Sequence, residues 1–107
     1  GWSRDARISA PLIKNLRGQP GVTVGDNLPY ALEVGADFTT PEHAMARGLA
    51  HVQIEFRQDL VAGPDEATRW ADLLHDALLA VESKASWHRR EYYLEPADNI
   101  RGADAWL

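Results

Sequence analysis

Apolar positions recur along this chain in two periods, and the switches between them mark out the elements. From Ser9 to Arg17, Leu12, Ile13 and Leu16 share one face at helical spacing, so a helix is expected there. Ser9 offers an N-cap hydroxyl and Pro11 suits the first turn. Gly18, Pro20 and Gly21 then end the helix and turn the chain. The β-branched run Val22-Thr23-Val24 reads as a short strand that stops at Gly25. Gly25 to Asp37 is expected to be a long loop, with Gly25-Asp26-Asn27 and Pro29 as turn chemistry. Loops of that length inside a compact domain are usually functional.

A second helix is expected from Thr39 or Thr40, either of which can cap it, with Pro41 at the first helical position and Glu42 in the first turn. Gly48 is a natural residue to close it. The longest helix opens at Gly63-Pro64-Asp65-Glu66, because Ala67, Trp70, Leu73 or Leu74, Ala77, Leu78 and Val81 recur at threes and fours. From Lys84 to the end, residues 84–107 lose this period. Trp87, Tyr92, Tyr93 and Trp106 predict that this tail packs on the domain. Strands alternating with helices favour an α/β fold with part of its sheet parallel.

Between the second and third helices, His51-Val52-Gln53-Ile54-Glu55-Phe56-Arg57 alternates at a period of two. Val52, Ile54 and Phe56 fall on one face, and His51, Gln53, Glu55 and Arg57 on the other. The bland reading is a half-buried strand whose polar face is solvated. The functional reading is a polar face lining a cleft. There, a carboxylate takes a proton from a metal-bound water, and an arginine two residues on neutralises it or clamps an anion. Composition does not choose between them.

Size and charge narrow the classes. At 107 residues, 45% hydrophobic and 25% charged, the chain is an ordinary globular sequence long enough for one small domain. It has no cysteine, which rules out disulfides and thiolate chemistry and fits a cytoplasmic setting. With 11 basic and 16 acidic side chains, its formal charge of −5 repels nucleic acid and anionic membranes. No signal peptide or membrane-length apolar run is visible. Because it opens at Gly1 rather than a methionine, the chain is expected to be a fragment or a processed product.

Several segments then line up in order and spacing: Val24-Gly25-Asp26-Asn27, Pro29-Tyr30, His43-Ala44, Arg47-Gly48-Leu49 and Ile54-Glu55-Phe56-Arg57-Gln58-Asp59-Leu60. Together they resemble the N-formylglutamate amidohydrolases. Arg4-Asp5-Ala6-Arg7 and the Trp70 helix look similar as well, so the resemblance runs from Gly1 to about Val81. One departure is Leu28, where many relatives carry glutamate.

The resemblance implies the fold of the zinc carboxypeptidases, a three-layer α/β sandwich with a mixed, partly parallel sheet. This chain would be the C-terminal part of that single domain. It also implies that Glu55 is the general base for a zinc-bound water and that Arg57 sits beside it. Asn27 and Tyr30 would lie on a loop covering the substrate, Tyr30 as a substrate contact or as an anchor of the loop. His43 would touch substrate or support a group that does, the alternative being that it stabilises its helix cap. The zinc ligands of such enzymes, a histidine and glutamate three apart plus a later histidine, would all lie upstream of Gly1. The implied reaction is hydrolysis of a small anionic amide such as N-formyl-L-glutamate, with the upstream half of the same protein as partner. The alternative is a non-catalytic truncated fragment that serves as a binding module.

Other candidates carry less. His88-Arg89-Arg90-Glu91 has the His-x-x-Glu spacing, but no histidine follows to complete a zinc site. His51 reads as structural, His75 as solvent-facing, and Arg47 as satisfying the last carbonyls of its helix. No phosphate-binding loop, dinucleotide fingerprint or nucleophile elbow is present.

Overall fold

Ile8 and Leu12, at the start of the first helix, close against Ala77 and Val81 near the end of the last, and this cluster is the core. The computed structural model describes residues 1–83 and 86–98. The expected start of the tail at Lys84, and Trp106 within it, lie outside the described residues. α1 spans Ser9–Arg17 and α2 spans Pro64–Glu82. Leu16, Ala50, Val52, Leu74, Leu78 and Trp87 pack around the cluster. Each fully buried Leu or Val there stabilises the fold by about 1.5–3 kcal/mol.

α2 forms as its spacing predicts. Gly63 accepts the Ala67 N–H at 2.9 Å, Pro64 opens the first turn, and Asp65 and Glu66 place negative charge at its positive end. Ala67, Trp70, Leu73, Leu74, Ala77, Leu78 and Val81 are the residues that bury, wholly or in part. His75, off that stripe, is exposed.

α1 has the expected bounds but not the expected cap. Ala10 already donates to the Ala6 carbonyl at 3.0 Å, so the turn begins before Ser9 and carries that side chain inside. Ser9 is buried, and its hydroxyl finds no partner among the described residues. The second helix repeats this pattern. Glu42 donates to the Phe38 carbonyl at 2.9 Å, so neither Thr39 nor Thr40 caps with its side chain. A wide π-helical turn, Thr40–Ala44, passes into a tight 3-10 turn, Met45–Arg47. Gly48 closes it at φ 67°, the left-handed conformation foreseen for that position.

The expected α/β sandwich with a mixed, partly parallel sheet is not what this chain forms. Among the described residues there is no sheet, and the single isolated bridge joins Val34 to Asp37. Alternation makes a backbone extended, but a strand exists only where a neighbour supplies a ladder. Val22-Thr23-Val24 has no such neighbour: Val22 donates back to Gln19, and the Val24 carbonyl accepts from the Arg17 guanidinium. Among the described residues, His51–Arg57 finds one main-chain partner distant in sequence, Gly1. The terminal ammonium of Gly1 donates to the Gln53 carbonyl at 2.5 Å, and Gln53 donates its N–H back to the Gly1 carbonyl at 3.0 Å. The two residues exchange hydrogen bonds as opposite residues of an antiparallel pair do, without forming a strand. Val52 reaches the helical core, whereas Ile54 and Phe56 remain 40% exposed. Phe56 meets the edge of Trp70 at 6.3 Å, which ties the segment to α2.

The segment from Trp87 to Asp98 lies along the opening residues. Arg4 holds both oxygens of Asp98 at 2.6 and 2.8 Å and the Tyr93 carbonyl at 2.8 Å. Glu91 donates its N–H to the Gly48 carbonyl at 2.9 Å. A Cβ on Gly48 would stand 3.0 Å from the Tyr92 ring and 3.1 Å from the Glu91 nitrogen, so glycine there serves both the turn and the close approach.

Candidate functional site

The site begins with a turn that only particular residues make. A Cβ on Gly25 would lie 2.6 Å from the Leu28 carbonyl oxygen, so the loop folds onto itself only over a glycine. Asn27 follows at φ 53°, a conformation that its short amide side chain tolerates better than most. A cis peptide joins Leu28 to Pro29. The loop is fixed to the chain's opening by two hydrogen bonds. The Trp2 N–H donates to Asn27 Oδ1 at 2.8 Å, and the Trp2 indole donates to Asp26 Oδ1 at 2.7 Å. Since Gly1 pairs with Gln53, the Gly1-Trp2 dipeptide stands between the loop and the extended segment.

That placement brings Tyr30 to Glu55, 25 residues away in sequence. The Tyr30 hydroxyl donates to Glu55 Oε2 at 3.0 Å, and both side chains are exposed. The hydrogen bond to Glu55, then its charge, push the Tyr30 phenol above its ordinary range, with smaller contributions from burial and Asp37. Tyr30 is therefore a neutral donor at neutral pH. Glu55 stands clear of the apolar core, open to solvent.

Arg57 does not turn to Glu55. Its guanidinium pairs with Asp59 through Nε at 2.5 Å and Nη2 at 2.9 Å. The Arg57 hydrogen bonds hold the Asp59 carboxyl below its usual range, and Asp59 in turn raises Arg57. Both partners are well exposed, and such pairs exchange readily with other ions. Asn27 spends its carbonyl oxygen on Trp2. His43 is exposed and meets the edge of Phe38 at 5.7 Å. No hydrogen bond among the described residues joins His43 to the Tyr30–Glu55 pair.

A second polar cluster, which sequence reasoning missed, lies inside the fold. Asp5 is 1% exposed, and Arg7 donates to it through its side chain and its own N–H. Burial alone raises the Asp5 carboxyl, but the hydrogen bonds and charge of Arg7, with His51 nearby, hold it below the usual range. Arg7 also reaches the carbonyls of Arg89 and Gly48, and Glu91 lies 3.5 Å from its Nε. His51, expected to be structural, is buried and holds the Leu49 carbonyl through Nδ1 at 2.8 Å. The signal available was Arg4-Asp5-Ala6-Arg7 itself, whose opposite charges two apart allow a local pair.

The resemblance places the ligands of its zinc outside this chain. Among the described residues, no three histidine, aspartate or glutamate side chains converge so as to hold a metal ion. Nor is any helix there long and apolar enough to cross a membrane.

The loop-to-Glu55 arrangement lies wholly inside the stretch covered by one known family. The family model for N-formylglutamate amidohydrolase matches residues 1–62, more than half of the 107-residue chain. The chain belongs to the N-formylglutamate amidohydrolase family, and with it to an amidohydrolase class of proteins. No curated protein and no solved structure matches it.

Proposed function

We propose that this chain supplies the general base and part of the substrate-binding loop for hydrolysis of a small anionic amide, N-formyl-L-glutamate being the type substrate. The observation that carries the reading is the Tyr30–Glu55 hydrogen bond, which gathers a loop tyrosine and an accessible carboxylate in the matched stretch. Glu55 accepts a proton from the attacking water and delivers it to the leaving amine nitrogen, so that formate and glutamate part. Arg57 binds the substrate carboxylate, exchanging its exposed partner Asp59 for the incoming anion. Asn27 shapes the loop, and His43 with Phe38 forms an aromatic step beside it.

Zinc, when bound, would acidify the attacking water. Its ligands would come from residues preceding Gly1 in a longer protein, since the described residues gather no ligand set. The test is turnover of N-formyl-L-glutamate by the metal-loaded protein with and without Glu55→Gln. Turnover should fall by about a hundredfold or more, with metal content unchanged. Undiminished turnover in that variant would remove Glu55 from the mechanism.

A further inference from the structure

We infer that Tyr30 is a positioning residue that holds one oxygen of the Glu55 carboxylate and leaves the other to act as the base. This rests on the reading of Glu55 given above. An exposed glutamate is a free rotor, and its two oxygens exchange places unless something fixes them. Here the phenol donates to Oε2 at 3.0 Å, and the phenol itself is not free to wander. It follows a turn closed over Gly25, and that turn is fastened to Trp2 at Asp26 and Asn27. Trp2 adjoins Gly1, which is hydrogen-bonded to Gln53, two residues before Glu55. The tyrosine and the carboxylate are thus mounted on one frame, held at the loop end by the Asp26 and Asn27 side chains on Trp2 and at the other by main-chain hydrogen bonds between Gly1 and Gln53. The other charged groups nearby do not replace this contact. Asp37 carries the same sign as Glu55 and acts on the phenol from its own loop, and Arg57 is engaged by Asp59. Oε1 is left without a protein donor among the described residues, on an exposed side chain, and is the oxygen free to take a proton.

The experiment has two arms. In the 107-residue chain, the pH titration of the Tyr30 ring is followed by NMR in the wild type and in Glu55→Ala. The Tyr30 ring should lose its proton at a higher pH in the wild type. Identical titrations would show that the contact is absent in solution and would overturn the proposal. In the metal-loaded active protein, Tyr30→Phe keeps the ring and removes the donor. It should lower kcat by about tenfold, short of the loss caused by removing the base, with KM little changed. A raised KM with kcat intact would make Tyr30 a substrate contact and overturn the positioning role alone. Normal turnover in Glu55→Gln would instead sink the general-base reading, and this one with it.

Discussion

Asp5 and Arg7, two residues apart in sequence, form an enclosed ion pair in which Nε and Nη2 of the arginine hold both carboxylate oxygens at 2.8 to 3.0 Å. Their side chains are 1% and 9% exposed. Removing one member of such a pair strands the other charge in a poor solvent. Arg7→Leu should therefore destabilise the chain by about 3–5 kcal/mol in urea unfolding. A loss below about 1 kcal/mol would mean that water reaches Asp5 and that the pair behaves as a surface pair.

The Arg4–Asp98 contact gives an acid-sensitive hold on the segment after α2. Arg4 and the Glu95 N–H depress the Asp98 carboxyl from the usual 3.8 to about 2. A carboxylate whose folded value is lowered adds stability that is fully present above its unfolded value and is lost as pH falls through the folded one. The contact should therefore persist at pH 4 and weaken between about 3.8 and about 2. Amide hydrogen exchange at Tyr93 to Asp98 measures this directly, and it should rise in that window in the wild type. In Asp98→Asn the same amides should already exchange fast at neutral pH.

Gly25→Ala tests the turn beneath the site. The added methyl would sit 2.6 Å from the Leu28 carbonyl oxygen, a backbone atom that cannot swing aside as a side chain would. The loop must open, at a cost of about 1–3 kcal/mol, and Tyr30 should leave Glu55. Tyrosine NMR would show the Tyr30 resonance moving toward its position in Glu55→Ala. An unmoved resonance would mean that the loop is held by Trp2 alone.

Ser9→Ala should stabilise the chain. The buried Ser9 hydroxyl finds no partner among the described residues, and alanine is the better helix former. A gain of about 0.5–1 kcal/mol in urea unfolding is expected. A loss would reveal a hydrogen bond made to that hydroxyl in solution.

Sequence reasoning reached the helices because their signals are local. The stripe from Ala67 to Val81 is satisfied by any apolar surface it meets, and Gly48 closes its helix through its own backbone freedom. The sheet did not appear because alternation in His51–Arg57 specifies an extended backbone and nothing about a partner. Among the described residues, only Gly1 answers it, at Gln53. The cap assignments at Ser9, Thr39 and Thr40 failed for one reason: at each helix the first turn starts upstream, at Ala6 and at Phe38.

Within the site, the roles of Glu55 and Tyr30 came from family resemblance, and their contact depends on Trp2, whose hydrogen bonds to Asp26 and Asn27 no pattern foretold. The alternation placed Arg57 beside Glu55 on one face, yet Asp59 lies as close along the chain and takes the guanidinium. Asp5 and Arg7 entered only as part of the family-like run Arg4-Asp5-Ala6-Arg7. Two opposite charges in a hydrophilic stretch read the same in sequence whether water or protein surrounds them.

The pairing of Gly1 with Gln53 has a practical consequence for handling this protein. Beyond it, Ile54 to Phe56 present an open backbone edge, flanked by two apolar side chains that are each 40% exposed. An edge of that kind is a template for sticking to another chain, and the charges of Glu55 and Arg57 oppose such pairing. Glu55→Gln, chosen to probe chemistry, also strips one of these two gatekeepers. It should shorten shelf life and broaden the sizing profile, and an added lysine at Gln58 should restore a monodisperse peak without restoring turnover.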